Sequence, residues 1–259
     1  MKDKLLNYEN RYCKQEKYDE GFVCFLDILG FGEFIKDETN FPKARQMFNE
    51  MMNHVINYKL NDFRSKISIA SDSVLISISK NNGEFHTMID SLLDIIIYFR
   101  MKVVKYIGTD VRASITYGSY VHTGLNEQIY YGPAILKAVM LTEKSDKFTN
   151  NSTDELKNRP ACIIIDKDIF KMNCNLNYEL DIINWNHNKF HKLKSGYILV
   201  NPYFYEYNMF NFMFDTKDSL MSFINDSEEH ILKNLNSDYK DKYEYCELFF
   251  DKFKEHILN

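Results

Sequence analysis

An α+β fold built on an antiparallel sheet is predicted for this chain by three observations. Short apolar runs, bounded by glycine or polar residues, alternate with stretches of helical periodicity in the order β-α-β-β-α-β-α-β. The composition is that of an ordinary globular protein, with 45% hydrophobic, 27% charged and 15% aromatic residues among 259, enough to bury a full core. The most apolar windows, 23–29 and 92–97, are far too short to cross a bilayer.

Each element has its own signal. Residues 21–29 (GFVCFLDIL) read as a buried strand, opened by a glycine and closed by Gly30 and Gly32. Pro42 suits the first turn of a helix, along which Ala44, Met47, Phe48, Met51, Met52, Val55 and Ile56 recur at helical spacing. Residues 66–79 carry two β-type stretches around a small polar centre, as in a hairpin with Ser71 and Asp72 at its tip. A second helix is predicted over 85–105. Val111, Ala113, Ile115 and Tyr117 alternate with polar residues before Gly118, the pattern of a half-buried strand. Tyr130-Tyr131-Gly132-Pro133 breaks the pattern. A helix over 134–143 follows, and 161–166 (ACIIID) is a further strand.

That order is the split βαβ, ferredoxin-like (βαββαβ) arrangement, an antiparallel sheet with two helices on one face. Beyond it, a strand is expected at 197–200 and helices over 219–235 and 242–257. With no internal repeat and no Gly/Ser linker, the chain divides into a lead-in (1–20), a core (20–170) and a C-terminal α/β elaboration packed on that core (171–259).

Charge and cysteine usage exclude several classes. Acids outnumber bases 37 to 32, for a net charge of −5, and the charges are interspersed. A protein that grips duplex phosphates should show a basic stripe, so nucleic acid is not the expected partner. The first 20 residues are polar and of both charge signs, which predicts no secretory leader. Cys13, Cys24, Cys162, Cys174 and Cys246 contain no C-x-x-C pair, so reduced thiols in a cytoplasm, with no membrane partner, are expected. No P-loop, G-x-G-x-x-G or Ser/His/Asp arrangement occurs.

Two aspartates carry the chemical signal. Asp27 ends the first strand before a glycine turn, and Asp72 sits at the hairpin tip 45 residues later. In a split βαβ sheet that strand and hairpin are adjacent, so both carboxylates can converge at one sheet end. Such a pair, with room for water, suits the hard ions Mg²⁺ or Mn²⁺. Two ions about 3.5–4 Å apart activate an attacking oxygen and neutralise a phosphate and its leaving group. Leu29-Gly30-Phe31-Gly32-Glu33 can offer main-chain N–H groups to a triphosphate. The same residues equally allow Asp27 to cap a helix and Asp72 simply to turn a hairpin. Phe25, on the same sheet face as Asp27, is either a wall of the pocket or a core residue. Arg112 opens a strand beside the site, to meet a phosphate or to form an ion pair. His187 and His191 have zinc-compatible spacing in an Asn-rich context that does not read as helical.

Phe25-Leu-Asp27-Ile-Leu-Gly-Phe31, Ser71-Asp72-Ser73, Arg112-Ala-Ser-Ile-Thr-Tyr-Gly118 and Tyr131-Gly-Pro-Ala-Ile-Leu-Lys-Ala-Val-Met-Leu-Thr-Glu143, in that order, resemble the class III nucleotide cyclases. They look most like the bacterial pyrimidine cyclases of Pycsar anti-phage systems. The resemblance covers about residues 20–170, with a weaker echo around Tyr243 and Tyr245. It implies that Asp27, Asp72 and the main-chain carbonyl of Ile28 hold two Mg²⁺ or Mn²⁺ ions. The implied reaction closes UTP or CTP to a 3′,5′-cyclic monophosphate such as cUMP, with release of pyrophosphate, in a head-to-tail homodimer. The product would be a second messenger read by a separate effector protein in anti-phage defence. Gly30, Phe31, Phe25, Arg112 and Lys137 are the candidate substrate contacts.

The departures are informative. Aligning the family's glycine on Gly132 places Leu136 and Met140 where purine cyclases carry an orienting asparagine and a transition-state arginine. Lys137 or Lys144 can supply the missing cation. Ser68 stands where adenylyl cyclases often have a base-reading lysine. A purine (GTP or ATP) cyclase and a silent, nucleotide-binding dimerisation module are the alternatives.

Overall fold

The computed structural model describes residues 18–57, 65–80, 85–123, 129–143, 161–172, 190–193, 195–210, 217–237 and 240–258. Lys144, His187 and most of the lead-in lie outside them. Strand β1 (Asp19–Ile28) leads through Gly30 into a one-turn helix α1 (Phe31–Phe34) and then α2 (Phe41–Asn57). The hairpin β2 (Ser65–Ala70) and β3 (Ser73–Ser79) turns at Ser71-Asp72, as expected, and α3 (Phe85–Ile107) follows. Next come β4 (Val111–His122), β5 (Tyr130–Tyr131), α4 (Pro133–Glu143), β6 (Ile163–Ile165) and α5 (Lys167–Met172). The chain continues with β7 (Phe190–Lys192), β8 (Ile198–Val200), α6 (Pro202–Phe210), α7 (Lys217–Leu235) and α8 (Lys240–Leu258).

The sheet order is β2-β3-β1-β4-β6-β8-β7, with β5 paired to β4. Its first four strands are antiparallel neighbours in the ferredoxin-like order. Strand β1 takes an inner position, between β3 and β4, because it is apolar on both faces. Phe22, Cys24, Leu26 and Ile28 enter the core with Met47 and Met51 of α2 and Leu92 and Phe99 of α3, while Val23 packs with Ala134 and Ala138 of α4. The two early helices therefore share one face, as expected, and α4 covers the other. Strand β6 joins parallel to β4, the geometry a helical crossover imposes.

Tyr203, Phe204, Leu199, Ile231, Tyr243, Phe249 and Phe253 form a second buried cluster with Leu141 of α4 and Ile164 of β6. Tyr243 is thus a core residue. Behind them, buried Arg100 of α3 donates to Asp110 through Nε (2.8 Å) and Nη2 (2.7 Å), and also to Glu206 of α6. Among the described residues no helix is long and apolar enough to cross a membrane.

One bend matters for the site. Gly21 of β1 pairs with Gly118 of β4. A Cβ at Gly21 would meet the Ile78 carbonyl oxygen at 2.1 Å, and Gly118 has φ 151°, a conformation that favours glycine. Past this pair the two-stranded ribbon turns back over the face that carries Asp27. Lys66 of β2 then reaches Asp19 at 3.2 Å, and His122 reaches Ser68 of β2 and Ser77 of β3.

Candidate functional site

Register sets which side chains share the site. Asp27 lies opposite Ser73 on one side and Arg112 on the other. Strand alternation places Phe25, Asp27, Ser73, Leu75, Ser77, Ser68, Arg112 and Ser114 on one face. The two-residue turn between Ala70 and Ser73 holds Asp72, with Ser71 at φ 57°. That is an uncommon conformation for a non-glycine residue. The turn is tied down by the Ile28 N–H, which donates to the Asp72 carbonyl at 2.9 Å. The chain beyond Asp27 is equally fixed, because Leu29 N–H donates to the Asp110 carbonyl (3.0 Å) and the Thr109 hydroxyl to the Leu29 carbonyl (2.7 Å).

Asp27 and Asp72 do come together, and Arg112 joins them. Arg112 donates to Asp27 Oδ2 through Nε at 3.0 Å and also through Nη2. Burial raises the Asp27 pKa above the usual carboxylate value. The Arg112 hydrogen bond and charge oppose that rise, and the charges of Asp72 and Glu143 add to it. Glu143 is a site carboxylate that reading the sequence missed. It ends α4, which hydroxyls stitch to the sheet: Ser114 donates to the Ala138 carbonyl (2.7 Å) and Thr116 to the Ala134 carbonyl (2.8 Å). The Thr142 hydroxyl lies 3.2 Å from the Phe25 carbonyl. Its only signal in the sequence was the Ser/Thr-rich strand 114–116 facing an apolar helix.

The other candidates fall as follows. Phe25 is half-buried and, with Ser68, Ile69, Ala70, Ser73, Leu75 and Tyr130, lines a narrow cleft of about 10 Å³ next to the hairpin turn that holds Asp72. Gly30, at φ 70°, starts α1, and the Phe31 side chain is buried in the core against Phe48. Only the main chain of Gly30 and Phe31 is therefore offered to a ligand. Lys137 is held between Asp166 (2.5 Å) and Asp168 (2.6 Å), which share its charge. His191 lies in a strand, its ring 6.5 Å from that of Phe249. Cys24, Cys162 and Cys246 are buried free thiols.

The donor set of Asp27, Asp72 and the Ile28 main chain is all oxygen and open on one side. It fits a hard divalent ion that keeps part of its water. Among the described residues no group of three His, Cys, Asp or Glu side chains forms a closed cage.

No family model matches the chain, and no curated protein matches it in sequence. Among solved structures it is similar to the adenylyl cyclase CyaB from P. aeruginosa, at 18% identity and a TM-score of 0.42 over 60% of this chain and 81% of that one. It is similar to the guanylyl cyclase Cya2 at 9% identity and a TM-score of 0.39, covering 71% and 92%. The monomeric guanylyl cyclase domain of the RhoGC fusion protein from the aquatic fungus Blastocladiella emersonii gives 13% and 0.40, covering 71% and 95%. These are likenesses of outline, and what the site can do is read from its own side chains.

Proposed function

We propose that this chain is a pyrimidine nucleotide cyclase that converts UTP, or CTP, to the 3′,5′-cyclic monophosphate and pyrophosphate. The observation that carries the reading is the meeting of Asp27 and Asp72 at one end of a βαββαβ sheet, beside a small cleft walled by Phe25 and Tyr130. The order of the four motifs supports it. Asp27, Asp72 and the Ile28 carbonyl would hold two Mg²⁺ or Mn²⁺ ions, which would supply Lewis-acid neutralisation of the triphosphate and ease loss of the hydroxyl proton. In the reaction the ribose 3′-oxygen bonds to the α-phosphorus, its proton passes to solvent water, and the bond from the α-phosphorus to the oxygen bridging to the β-phosphate breaks to release pyrophosphate. Arg112 orients Asp27 and brings a guanidinium to the same sheet end. Main-chain N–H groups at Gly30 and Phe31 face the phosphates. Phe25 narrows the cleft toward a single-ring base.

Assembly belongs to the same reading. Ile129, Tyr130, Tyr131 and Leu136 are exposed apolar side chains around β5 and the start of α4, and they form the surface by which two copies meet head to tail. The cyclic product acts as a second messenger in anti-phage defence, read by a separate effector in the cytoplasm.

The test incubates purified protein with each of the four labelled ribonucleoside triphosphates and Mn²⁺, and looks for a phosphatase-resistant cyclic product. Cyclic UMP or CMP is expected, abolished by Asp27→Ala and by Asp72→Ala. Cyclisation of GTP or ATP alone would give the purine alternative. A folded protein that cyclises nothing would leave the silent module.

A further inference from the structure

The cleft face of β2 and β3 departs from the rest of the core. On their opposite face the same two strands bury Ile67, Val74, Ile76 and Ile78. The cleft face carries Ser68, Ser73 and Ser77 beside Leu75, with Ser68 and Ser77 buried and joined by a buried histidine. His122 Nε2 lies 2.8 Å from Ser68 Oγ, and its Nδ1 lies 2.8 Å from Ser77 Oγ. Burial, helped by the charge of Lys66, pushes the His122 pKa down to about 4. The ring is therefore neutral at physiological pH, with one N–H and one bare nitrogen.

A neutral imidazole donates from one nitrogen and accepts at the other, so it orders the two hydroxyls in opposite senses. With the proton on Nδ1, Ser77 accepts, the Ser68 hydroxyl donates to Nε2, and Ser68 shows the cleft only lone pairs. With the proton on Nε2, Ser68 accepts from the ring and its own O–H is free to point into the cleft. Either way one hydrogen-bonding position of the Ser68 hydroxyl is committed to His122, and the tautomer decides whether its donor or a lone pair is used.

That commitment has a chemical use. Uracil and cytosine have nearly the same shape, so no wall of the cleft can tell them apart. They differ in polarity at one edge, where C=O and N–H in uracil become NH₂ and a bare nitrogen in cytosine. A freely rotating serine serves both, and a committed one serves one of them better. We infer that His122 is a positioning residue for base recognition, holding the Ser68 hydroxyl in one sense so that it discriminates UTP from CTP. The inference rests on the cleft being the nucleotide site proposed above. Ser77, fully buried and hydrogen-bonded to Tyr120 as well as to His122, sets which His122 nitrogen carries the proton.

Ser77→Ala tests it, because that variant removes one oxygen outside the cleft and leaves Ser68 and His122 in place. The readout is the ratio of kcat/KM for UTP to that for CTP, with Mn²⁺-dependent thermal stabilisation measured on the same samples. The preference should fall by about tenfold, the effect of one hydrogen bond, while the Mn²⁺ shift is kept. Ser68→Ala gives the same readout from the wall itself and serves if the Ser77 variant does not fold. A folded, active Ser77→Ala whose ratio stays within about twofold of wild type, less than one hydrogen bond, makes His122 a structural residue only. An unchanged ratio in Ser68→Ala, or a wild type that uses UTP and CTP equally, also overturns the inference. A wild type that cyclises only purine nucleotides overturns instead the reading beneath it.

Discussion

Asp27→Asn separates the charge of the central carboxylate from its shape. In the folded chain burial raises the Asp27 pKa, against the pull of Arg112, and the charges of Asp72 and Glu143 push the same way. The folded form therefore binds a proton more readily than the unfolded chain. The group's contribution to stability is greatest below its unfolded pKa, and it is lost as pH rises through the raised folded value. At neutral pH the ionised carboxylate is held at a cost, which a bound cation would offset. Asparagine loses charge-assisted hydrogen bonds with Arg112 worth about 1.5–3 kcal/mol. It also removes the burial penalty and the repulsion, so the metal-free variant should sit within about 1–2 kcal/mol of wild type. Mn²⁺ at a hundred times its Kd should stabilise wild type by about 2.7 kcal/mol, or roughly 5–11 °C in Tm for a chain of this size. Scanning calorimetry with Mn²⁺ alone, without nucleotide, should show most of that shift gone in Asp27→Asn. Without metal, wild type should gain on the variant as pH falls. An equal Mn²⁺ shift in both proteins would refute Asp27 as a ligand, and a gain with rising pH would refute the burial-dominated account.

Three further outcomes are expected. Arg100→Met strands Asp110 and Glu206 without their shared buried cation. It should cost about 3–5 kcal/mol, read as a Tm fall of roughly 6–20 °C in calorimetry, and a loss below about 1 kcal/mol would mean these charges are solvated. Leu136→Asp puts a charge on the exposed apolar surface of α4. Sedimentation equilibrium should show a monomer with little activity, and an unchanged dimer would remove that surface from the interface. Phe25→Ala widens the cleft and should raise GTP or ATP use relative to UTP, so an unchanged base preference in a folded, active variant would take Phe25 out of the wall.

The core was readable from the chain because its signals are local. The run at 21–29 is a short continuous apolar stretch, 111–117 alternates with the period of two that a half-buried strand needs, and α2 and α3 repeat at helical spacing. Element order allowed the hairpin tip at Ser71-Asp72 and the approach of Asp72 to Asp27, while the metal-binding role of the pair came only from the resemblance. The C-terminal region was less readable. Helix α6 (PYFYEYNMF) is apolar on most sides and shows little periodicity, and β7 has only three residues. What no local pattern contains is the bend at Gly21 and Gly118, which brings His122 to Ser68 and Tyr130 to the cleft. The same is true of Glu143 beside Asp27, of Lys137 between two aspartates, and of Arg100 buried behind the site. Spacing along one strand or helix follows from backbone geometry, so the sequence by itself determined the core elements and put Asp27 and Asp72 at the ends from which they can meet. Contacts between residues tens of positions apart depend on how the sheet curls and which face each helix covers, and only the packed tertiary structure decides that.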